Sequence, residues 1–302
     1  MKDVEEIEIF VTFFAQNWFA PVVLQLLRDC ITSVERFSKS PYRIYIVDNG
    51  SDKEVVETLE EWGYPLIHNE YPWKNYVTLM NTVINSAKSD PFIILHGDMK
   101  VTENWLETYI EEHKWCEKYF GIPCCLMPTY LPYEVSDDHI VRKEGGSNLV
   151  TPSRMQKLCS HYNIPYRSGT GVISRKPYRG HIDRGGTRIT DDGGHVMSFI
   201  TSQEFFKQAG LYDEDFTAMG YEDNEMGIRA LIRGLKLLVT HSVFVPHCSG
   251  ASAGRGPAIK RGRGPHDVFI EKYGQKAWDD MQSGQLWIRL HDNQLKGIKG
   301  LN

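Results

Sequence analysis

The chain has 302 residues, and 34 lysines and arginines against 39 aspartates and glutamates give it a formal charge of −5 at pH 7. Hydrophobic residues make up 41% and charged residues 24%, a globular composition that excludes a disordered tail, a collagen-like fibre and a coiled coil. The mild acidity argues against a protein that binds nucleic acid over its whole surface. At roughly 150 residues per domain, the length allows two domains or one large α/β domain.

The first half of the chain alternates short apolar runs with helical patterns. Strands are predicted at 7–14, 42–47, 65–68 and 91–95, and helices at 22–37, 53–62, 77–87 and 105–116. This β-α-β order predicts a parallel sheet, in which ligands bind at the carboxyl ends of the strands. Asp48 and Asp98 both fall at such ends.

The second half is less regular. Residues 128–194 lose periodicity and are rich in glycine, proline, tyrosine and arginine, so we expect irregular structure that shapes a site. A strand at 196–200 follows, and Thr201 and Glu204 read as a capping box that opens a short helix. The remaining predicted elements are a helix at 222–233 ending at Gly234, strands at 237–240 and 243–245, a glycine-rich basic loop at 250–264 and a terminal helix at 268–281.

We expect no secretory signal and no membrane span from this sequence. The amino-terminal residues are acidic where a secretory signal would be basic, and the apolar runs fall short of the ~20 residues that span a bilayer. The six cysteines form no CxxC pair, which favours reduced thiols in a cytoplasmic protein without a transmembrane segment.

Two groups of acidic residues could carry chemistry. His96-Gly97-Asp98 ends a buried strand, where a carboxylate can hold the Mg²⁺ or Mn²⁺ ion that bridges a diphosphate. The alternative is that Asp98 only caps the next helix. Glu222 and Asp223 open a helix, where they either complement the helix dipole or supply a general base.

A third group combines a histidine with a basic loop. His247 ends an apolar run, and a lone histidine of this kind is more often structural than a ligand. The loop after it contains Arg255, Lys260, Arg261 and Arg263 among glycines and could fold over phosphates. A solvated surface loop or a nucleic-acid contact are the alternatives.

Taken in order, these motifs resemble the GT-A glycosyltransferases, particularly family 2 and galactosyltransferase relatives with a Gly-Tyr-Glu-Asp motif. The residues that carry the resemblance are IVDNGSD at 46–52, ILHGD at 94–98, GLYDEDF at 210–216, GYED at 220–223 with Arg229 and Gly234, and VPH at 245–247. The resemblance implies an α/β GT-A fold, a single domain with a Rossmann-like, mostly parallel central sheet flanked by helices. It places a glycosyltransferase domain at 1–265, with a nucleotide-binding half at about 1–127 and an acceptor-binding half at about 128–265, before a C-terminal helical extension at 266–302.

The implied function is a metal-dependent, hexosyltransferase-type enzyme using Mn²⁺ or Mg²⁺. It would transfer a sugar from a nucleoside-diphosphate sugar, commonly a UDP-sugar, to a glycan or other hydroxyl acceptor with inversion. By position, Asp223 would be the general base, with Glu222 orienting the acceptor or the base, and Asp98 and His247 would hold the metal. The expected contacts to the nucleotide are Thr12, Phe13, Phe14, Asp48, Asn81, His96, Gly97, Arg255, Arg261 and Arg263. The sequence departs from the usual Asp-x-Asp motif because His96 occupies its first position.

Charge is unevenly distributed along the chain. Residues 142–190 contain ten lysines and arginines against two acids, a net charge of +8, whereas residues 201–225 contain seven acids against one lysine, a net charge of −6. The basic segment lies in the expected acceptor half, which predicts an acceptor with negative charge. The acidity of the whole chain still argues against a nucleic-acid partner.

Two other functions compete with catalysis of sugar transfer. A degenerate GT-A fold that binds a nucleotide or glycan without catalysis is suggested by His96. A sugar nucleotidyltransferase is disfavoured, because no glycine-rich loop with a lysine follows the first predicted strand.

Overall fold

Among the residues that the structure describes, a mixed sheet of nine strands forms the centre of the fold. The computed structural model describes residues 6–15, 20–69, 76–132, 134–135, 140–141, 181–184, 187–191, 196, 198–216, 221–247, 264–283, 285–291 and 299. The strands are β1 (Ile7–Phe13), β2 (Tyr42–Asp48), β3 (Leu66–His68), β4 (Phe92–His96), β5 (Cys124–Pro132), β6 (Glu134–Val135), β7 (Ile140–Val141), β8 (His181–Arg184), β9 (Thr187–Asp191), β10 (Phe199–Thr201) and β11 (Lys236–His247). The helices are α1 (Ala20–Phe37), α2 (Lys53–Glu61), α3 (Tyr76–Ser86), α4 (Trp105–Phe120), α5 (Gln203–Ala209), α6 (Glu222–Ile232), α7 (Pro265–Tyr273), α8 (Gln275–Gln282) and α9 (Gln285–His291).

The strands of the central sheet follow the order β3-β2-β1-β4-β10-β5-β11-β9-β8, and β6 and β7 form a separate antiparallel pair. Strands β3, β2, β1 and β4 are parallel to one another, which confirms the β-α-β prediction for the first half of the chain. Strand β10 runs antiparallel to both β4 and β5, and β11 runs parallel to β5. The fold is therefore the single α/β domain that the resemblance implies, and the described sheet is mixed, with four parallel and four antiparallel strand pairs where a mostly parallel sheet was expected.

Successive side chains of a strand face opposite sides of the sheet, so the hydrophobic core has two layers. Ile9 and Val11 of β1 face the layer that contains α1, α2 and α4, whereas Phe10 faces the layer that contains α3, α5 and α6. These side chains are at most 1% exposed because helices cover both faces of the sheet. The continuous apolar runs of β1 and β4 follow from this double burial.

The capping box predicted at Thr201 is wrong. The helix α5 begins after Ser202, which makes no side-chain cap, and the Thr201 hydroxyl donates to the Cys124 carbonyl at 2.9 Å. Thr201 is fully buried at the end of β10, so its hydroxyl satisfies a carbonyl of the neighbouring strand.

Three further elements differ from the predicted ones. The two strands expected at 237–240 and 243–245 are one strand, β11, whose pairing with β5 shifts register between Val239 and Phe244. The terminal helix expected at 268–281 is two helices, since Gly274, with a φ of 86°, separates α7 from α8. Within the segment expected to be irregular, β5, β8 and β9 extend the main sheet.

The C-terminal helices share the core with the rest of the domain. Phe269, Ala277 and Leu286 are fully buried in the same hydrophobic cluster as Met226 of α6. No helix of the described residues has the length and apolar character needed to cross a membrane. The domain boundary at 265 stays a prediction, although α7 itself begins at that residue.

The register shift in β11 generates a stability prediction. The Thr240 hydroxyl donates to the buried Glu112 carboxylate and accepts the Ser242 N–H at 3.0 Å, so it satisfies polar groups at the irregular step. Thr240→Val keeps the shape but removes the hydroxyl, and we expect unfolding free energy to fall by about 1–3 kcal/mol in urea denaturation. Thr82→Val, at an exposed helical threonine, should change it by less than about 0.5 kcal/mol. Equal losses of stability in the two variants would contradict this role of the Thr240 hydroxyl.

Candidate active site

The carboxyl ends of four parallel strands form a row at one edge of the sheet. In register, His68 lies beside Asp48, Asp48 beside Phe13, and Thr12 beside His96. A cleft opens at this edge, and its lining residues are Thr12, Phe13, Phe14, Val23, Asn49, Tyr76, His96, Gly97 and Asp98. Six of the residues expected to contact the nucleotide or metal are therefore brought together here.

Gly97 allows the strand ends to approach closely. Its N–H donates to the Thr12 carbonyl at 2.8 Å. A Cβ at this position would lie 3.1 Å from the same carbonyl oxygen and 3.0 Å from Leu27 Cδ1. Any larger residue would therefore push Asp98 away from the wall formed by β1.

Asp48 lies behind the cleft wall rather than on it. Its side chain is fully buried, and its oxygens accept hydrogen bonds from the Ser51 N–H at 3.1 and 3.2 Å, from the Ser51 hydroxyl and from His68 Nδ1 at 2.7 Å. Ser51 Oγ also accepts the Ala15 N–H at 2.9 Å. Asp48 thus fixes the turn after β2 and, through Ser51, the segment after β1.

A cluster of metal-ligand type lies at the other end of the row. His96, Asp98 and His247 each offer one ligand atom, and these atoms lie within 4.8 Å of one another. Asp98 Oδ1 is 3.4 Å from His247 Nε2. Asp98 Oδ1 and His96 Nε2 are buried and have no hydrogen-bond partner among the described residues, which fits a site that a cation would complete.

Two connections across the sheet hold this cluster. Although β10 and β5 separate β4 from β11, Met99 forms an antiparallel bridge with His247, and the Lys100 N–H donates to the Pro246 carbonyl at 2.9 Å. The chain after β4 thus crosses to the end of β11 and brings Asp98 to His247.

Tyr130 of β5 and Ser198, just before β10, contact the two histidines. The His96 N–H donates to Ser198 Oγ at 3.0 Å, and the Tyr130 hydroxyl donates to the Ser198 carbonyl at 2.8 Å. The Tyr130 ring also packs against the His247 ring, with centroids 5.9 Å apart. No sequence pattern indicated Ser198 or Tyr130, because their contacts depend on residues distant in the chain.

Burial lowers the pKa of His96 and outweighs the Asp98 carboxylate, which acts in the opposite direction. His96 is therefore a neutral imidazole at physiological pH, with a lone pair available to a cation.

The acidic pair at the start of α6 faces the same region. Tyr221, just before the helix, has a φ of 67°, a conformation that costs energy for a residue other than glycine and is common at functional sites. Burial raises the pKa of Tyr76, and the carboxylates of Glu222, Asp223 and Asp98 raise it further. Asp223 also acts on the pKa of His96. The acidic pair and the metal-type cluster are therefore close neighbours in space.

A buried ionic network holds the acidic helix in place. Glu225 is fully buried and accepts hydrogen bonds from Arg229 Nε at 2.8 and 2.9 Å, from Lys272 Nζ at 2.5 Å and from the Tyr273 hydroxyl at 2.9 Å. Lys272 also pairs with Asp213. This network ties α6 to α7 and to the GLYDEDF segment.

Arg229 completes the connection to that segment. Its Nη1 and Nη2 donate to the Ala209 and Leu211 carbonyls at 2.8 and 2.7 Å. Between these carbonyls lies Gly210, which has a φ of 81° and where a Cβ would be 2.8 Å from Arg229 Nη1. The close approach of Arg229 to the backbone at Gly210 therefore requires both the arginine and the glycine.

The remaining site predictions have other outcomes. The Asn81 side chain exchanges hydrogen bonds of 2.9 and 2.8 Å with the Tyr212 backbone, so its visible role is to hold the GLYDEDF segment, and nucleotide contact stays a prediction. Arg255, Arg261 and Arg263 lie outside the described residues. Asn49 and Tyr76 line the cleft without having been predicted, although Asn49 belongs to the DNGS turn.

The geometry of Arg229 predicts that lysine cannot replace it. Arg229→Lys removes the planar fork that reaches one carboxylate and two carbonyls, so we expect a loss of about 2 kcal/mol or more in urea denaturation. Arg233→Lys is the matched control, because Arg233 is exposed and makes one hydrogen bond of 2.5 Å, to Gln208. It should change stability by less than about 0.5 kcal/mol. A tolerated Arg229→Lys would show that the network is not needed.

Comparisons with known proteins bear on the family and on the fold. Residues 21–181 match the family model described as glycosyl transferase family 2. No curated protein matches the chain in sequence. Among solved structures, GalNAc-T7 with UDP, GalNAc and Mn²⁺ superposes with a TM-score of 0.60 at 18% identity, over 92% of this chain and 50% of the other. The chain therefore spans half the length of that relative.

A more distant structure is S. aureus TarS 1–349 in complex with UDP, with a TM-score of 0.45 and 10% identity over 80% of this chain and 60% of the other. The GalNAc-T7 likeness supports a GT-A-like fold, and the family model covers more than half of the chain. The chain belongs to glycosyl transferase family 2.

Proposed function

We propose that this protein is a metal-dependent, hexosyltransferase-type enzyme that transfers a sugar from a UDP-sugar to a hydroxyl group of an acceptor, with inversion. The observation that carries the proposal is the cluster of His96, Asp98 and His247 at the end of a cleft formed by parallel strands. The acidic pair of α6 lies beside it, so donor, metal and base would share one site.

The donor would lie along the row of strand ends. Thr12, Phe13 and Phe14 line the cleft, as expected of the walls of a nucleotide site. The structural neighbour GalNAc-T7 was solved with UDP, GalNAc and Mn²⁺, which supports a nucleotide sugar as the donor. At the cluster end, the diphosphate would meet the cation.

The three ligand residues fit a divalent cation. A bound cation would offset the negative charge that develops on the departing diphosphate. Two imidazoles and one carboxylate favour Mn²⁺ over Mg²⁺, since Mg²⁺ prefers oxygen ligands. His96, at the first position of the altered Asp-x-Asp motif, would be a ligand together with Asp98 and His247.

The acidic pair would act on the acceptor. In this proposal Asp223 removes the proton of the attacking hydroxyl, and Glu222, which is buried beside it, orients the acceptor or the base. A single displacement by the deprotonated hydroxyl from the face opposite the diphosphate inverts the anomeric configuration.

The proposed function also divides the chain into a nucleotide-binding half, an acceptor-binding half and an extension. Residues 1–127 would form the nucleotide half, residues 128–265 the acceptor half and residues 266–302 a helical extension. The basic segment at 142–190 supports an acceptor with negative charge, such as an acidic glycan. A cytoplasmic location, inferred from the cysteine pattern, stays a prediction.

The metal site gives the first test of the proposal. We expect Mn²⁺ to raise the affinity for UDP by about tenfold or more in calorimetric titration, and Asp98→Asn or His247→Ala to abolish this increase. His96→Ala should weaken it as well. The matched control Asp267→Asn changes an exposed aspartate and should leave the increase intact. Manganese-dependent affinity that survives in Asp98→Asn would remove the cluster from the site.

Catalysis gives a second, independent test. Asp223→Asn should lower UDP release from a UDP-sugar in the presence of a glycan acceptor by about 10²–10⁴-fold, because the general base is lost. Binding of UDP with Mn²⁺ should stay at the wild-type level. Equal transfer by the wild type and Asp223→Asn would remove Asp223 from catalysis. A wild type that binds UDP but transfers no sugar would be the degenerate binding protein. Release of pyrophosphate from UTP and a sugar phosphate would instead identify a nucleotidyltransferase.

A further inference from the structure

Asp48 cannot itself reach a nucleobase in this arrangement. It is fully buried, and both of its oxygens already accept hydrogen bonds from Ser51 or His68. Contact with a ligand would require breaking these bonds and exposing a buried carboxylate. A neighbour of Asp48 must therefore present the polar atom at this strand end.

His68 is that neighbour. Its side chain is 31% exposed, and its Nδ1 lies 2.7 Å from Asp48 Oδ2. The end of β3 is fixed against the cleft wall, because the Asn69 N–H donates to the Asp48 carbonyl at 2.9 Å and Asn69 Nδ2 donates to Asn49 Oδ1 at 3.3 Å. Asn49 lines the cleft, so the end of β3, which carries His68, lies next to the cleft wall.

The row of strand ends places His68 opposite the metal-type cluster. From β4 to β3 there are three steps between neighbouring strands, or about 14 Å at the usual spacing. A nucleoside diphosphate whose phosphates lie at His96 and Asp98 would extend its base toward the β2 and β3 ends. We propose that His68, oriented by Asp48, reads the nucleobase, an inference that rests on the proposed nucleotide-sugar function.

The contact with Asp48 determines what His68 can recognise. The Asp48 carboxylate only accepts hydrogen bonds, so Nδ1 of His68 carries the proton. In the neutral imidazole the second nitrogen, Nε2, is then an acceptor. It pairs with a base that presents a ring N–H, which uracil and guanine do, and it opposes the ring nitrogen lone pair of cytosine or adenine. The pair selects UDP or GDP against CDP and ADP.

The experiment compares nucleoside diphosphates on two variants of His68. Affinities of UDP, GDP, CDP and ADP are measured calorimetrically with Mn²⁺ at about pH 8, where histidine side chains are generally neutral. His68→Asn keeps a donor for Asp48 at the position of Nδ1 but has no atom at the position of Nε2. His68→Leu removes both functions. The control is His266→Asn, at an exposed histidine remote in sequence.

The wild type should bind UDP or GDP at least about tenfold more tightly than CDP and ADP. In His68→Asn this preference should fall to within about twofold while the melting temperature stays within a few degrees of the wild type. His68→Leu should lose both the preference and thermal stability, and His266→Asn should keep both. The UDP and GDP arms show which of the two bases fits the cleft.

Two results would count against the inference, and a third against the proposed function. A wild type that binds the four nucleotides equally, or a His68→Asn protein that keeps the wild-type preference, overturns the role of His68. Absence of any nucleotide binding by the wild type, with or without Mn²⁺, would instead overturn the proposed function itself.

Discussion

The site depends on one crossing of the sheet, the pairing between the chain after β4 and the end of β11. Strands β10 and β5 lie between these two, yet the Met99–His247 bridge and the hydrogen bond from Lys100 to Pro246 join them. Asp98, on the crossing segment, and His247, on the long strand, are thereby held within 3.4 Å of each other.

The second constraint is the buried charge of Glu225. A carboxylate without contact to water is stable only when cations and hydroxyls surround it, and Arg229, Lys272 and Tyr273 provide these. Arg229 belongs to α6 itself, whereas Lys272 and Tyr273 belong to α7, so satisfying one buried charge also ties the start of α6 to α7. The helix that carries Glu222 and Asp223 is thus held to α7 by its own buried carboxylate.

The sequence predicted those parts of the fold and site that depend on local pattern. The elements up to residue 116 and the strand-end positions of Thr12, Phe13, His96 and Asp98 follow from apolar periodicity and the rules of parallel sheets. Contacts between distant segments left no such pattern. Ser198 and Tyr130 act only because β10 lies between β4 and β5, and His68 gains its partner only when β3 pairs with β2. The error at Thr201 has the same cause, since a hydroxyl expected to cap a helix is used by a neighbouring strand.

The position of β10 has a consequence for how the chain reaches this structure. Strands β4 and β5 are consecutive among the main strands of the sheet, but they do not pair, and residues 199–201 must enter between them. During synthesis the first four strands can assemble from contacts close in sequence. The facing edges of β4, which ends at residue 96, and of β5, which ends at residue 132, stay unpaired until residues 199–201 have been synthesised. Open edges of this kind pair readily with other chains. The chain is therefore most exposed to misassembly after the first four strands have formed and before β10 joins them to β5. At that stage the site has not yet formed.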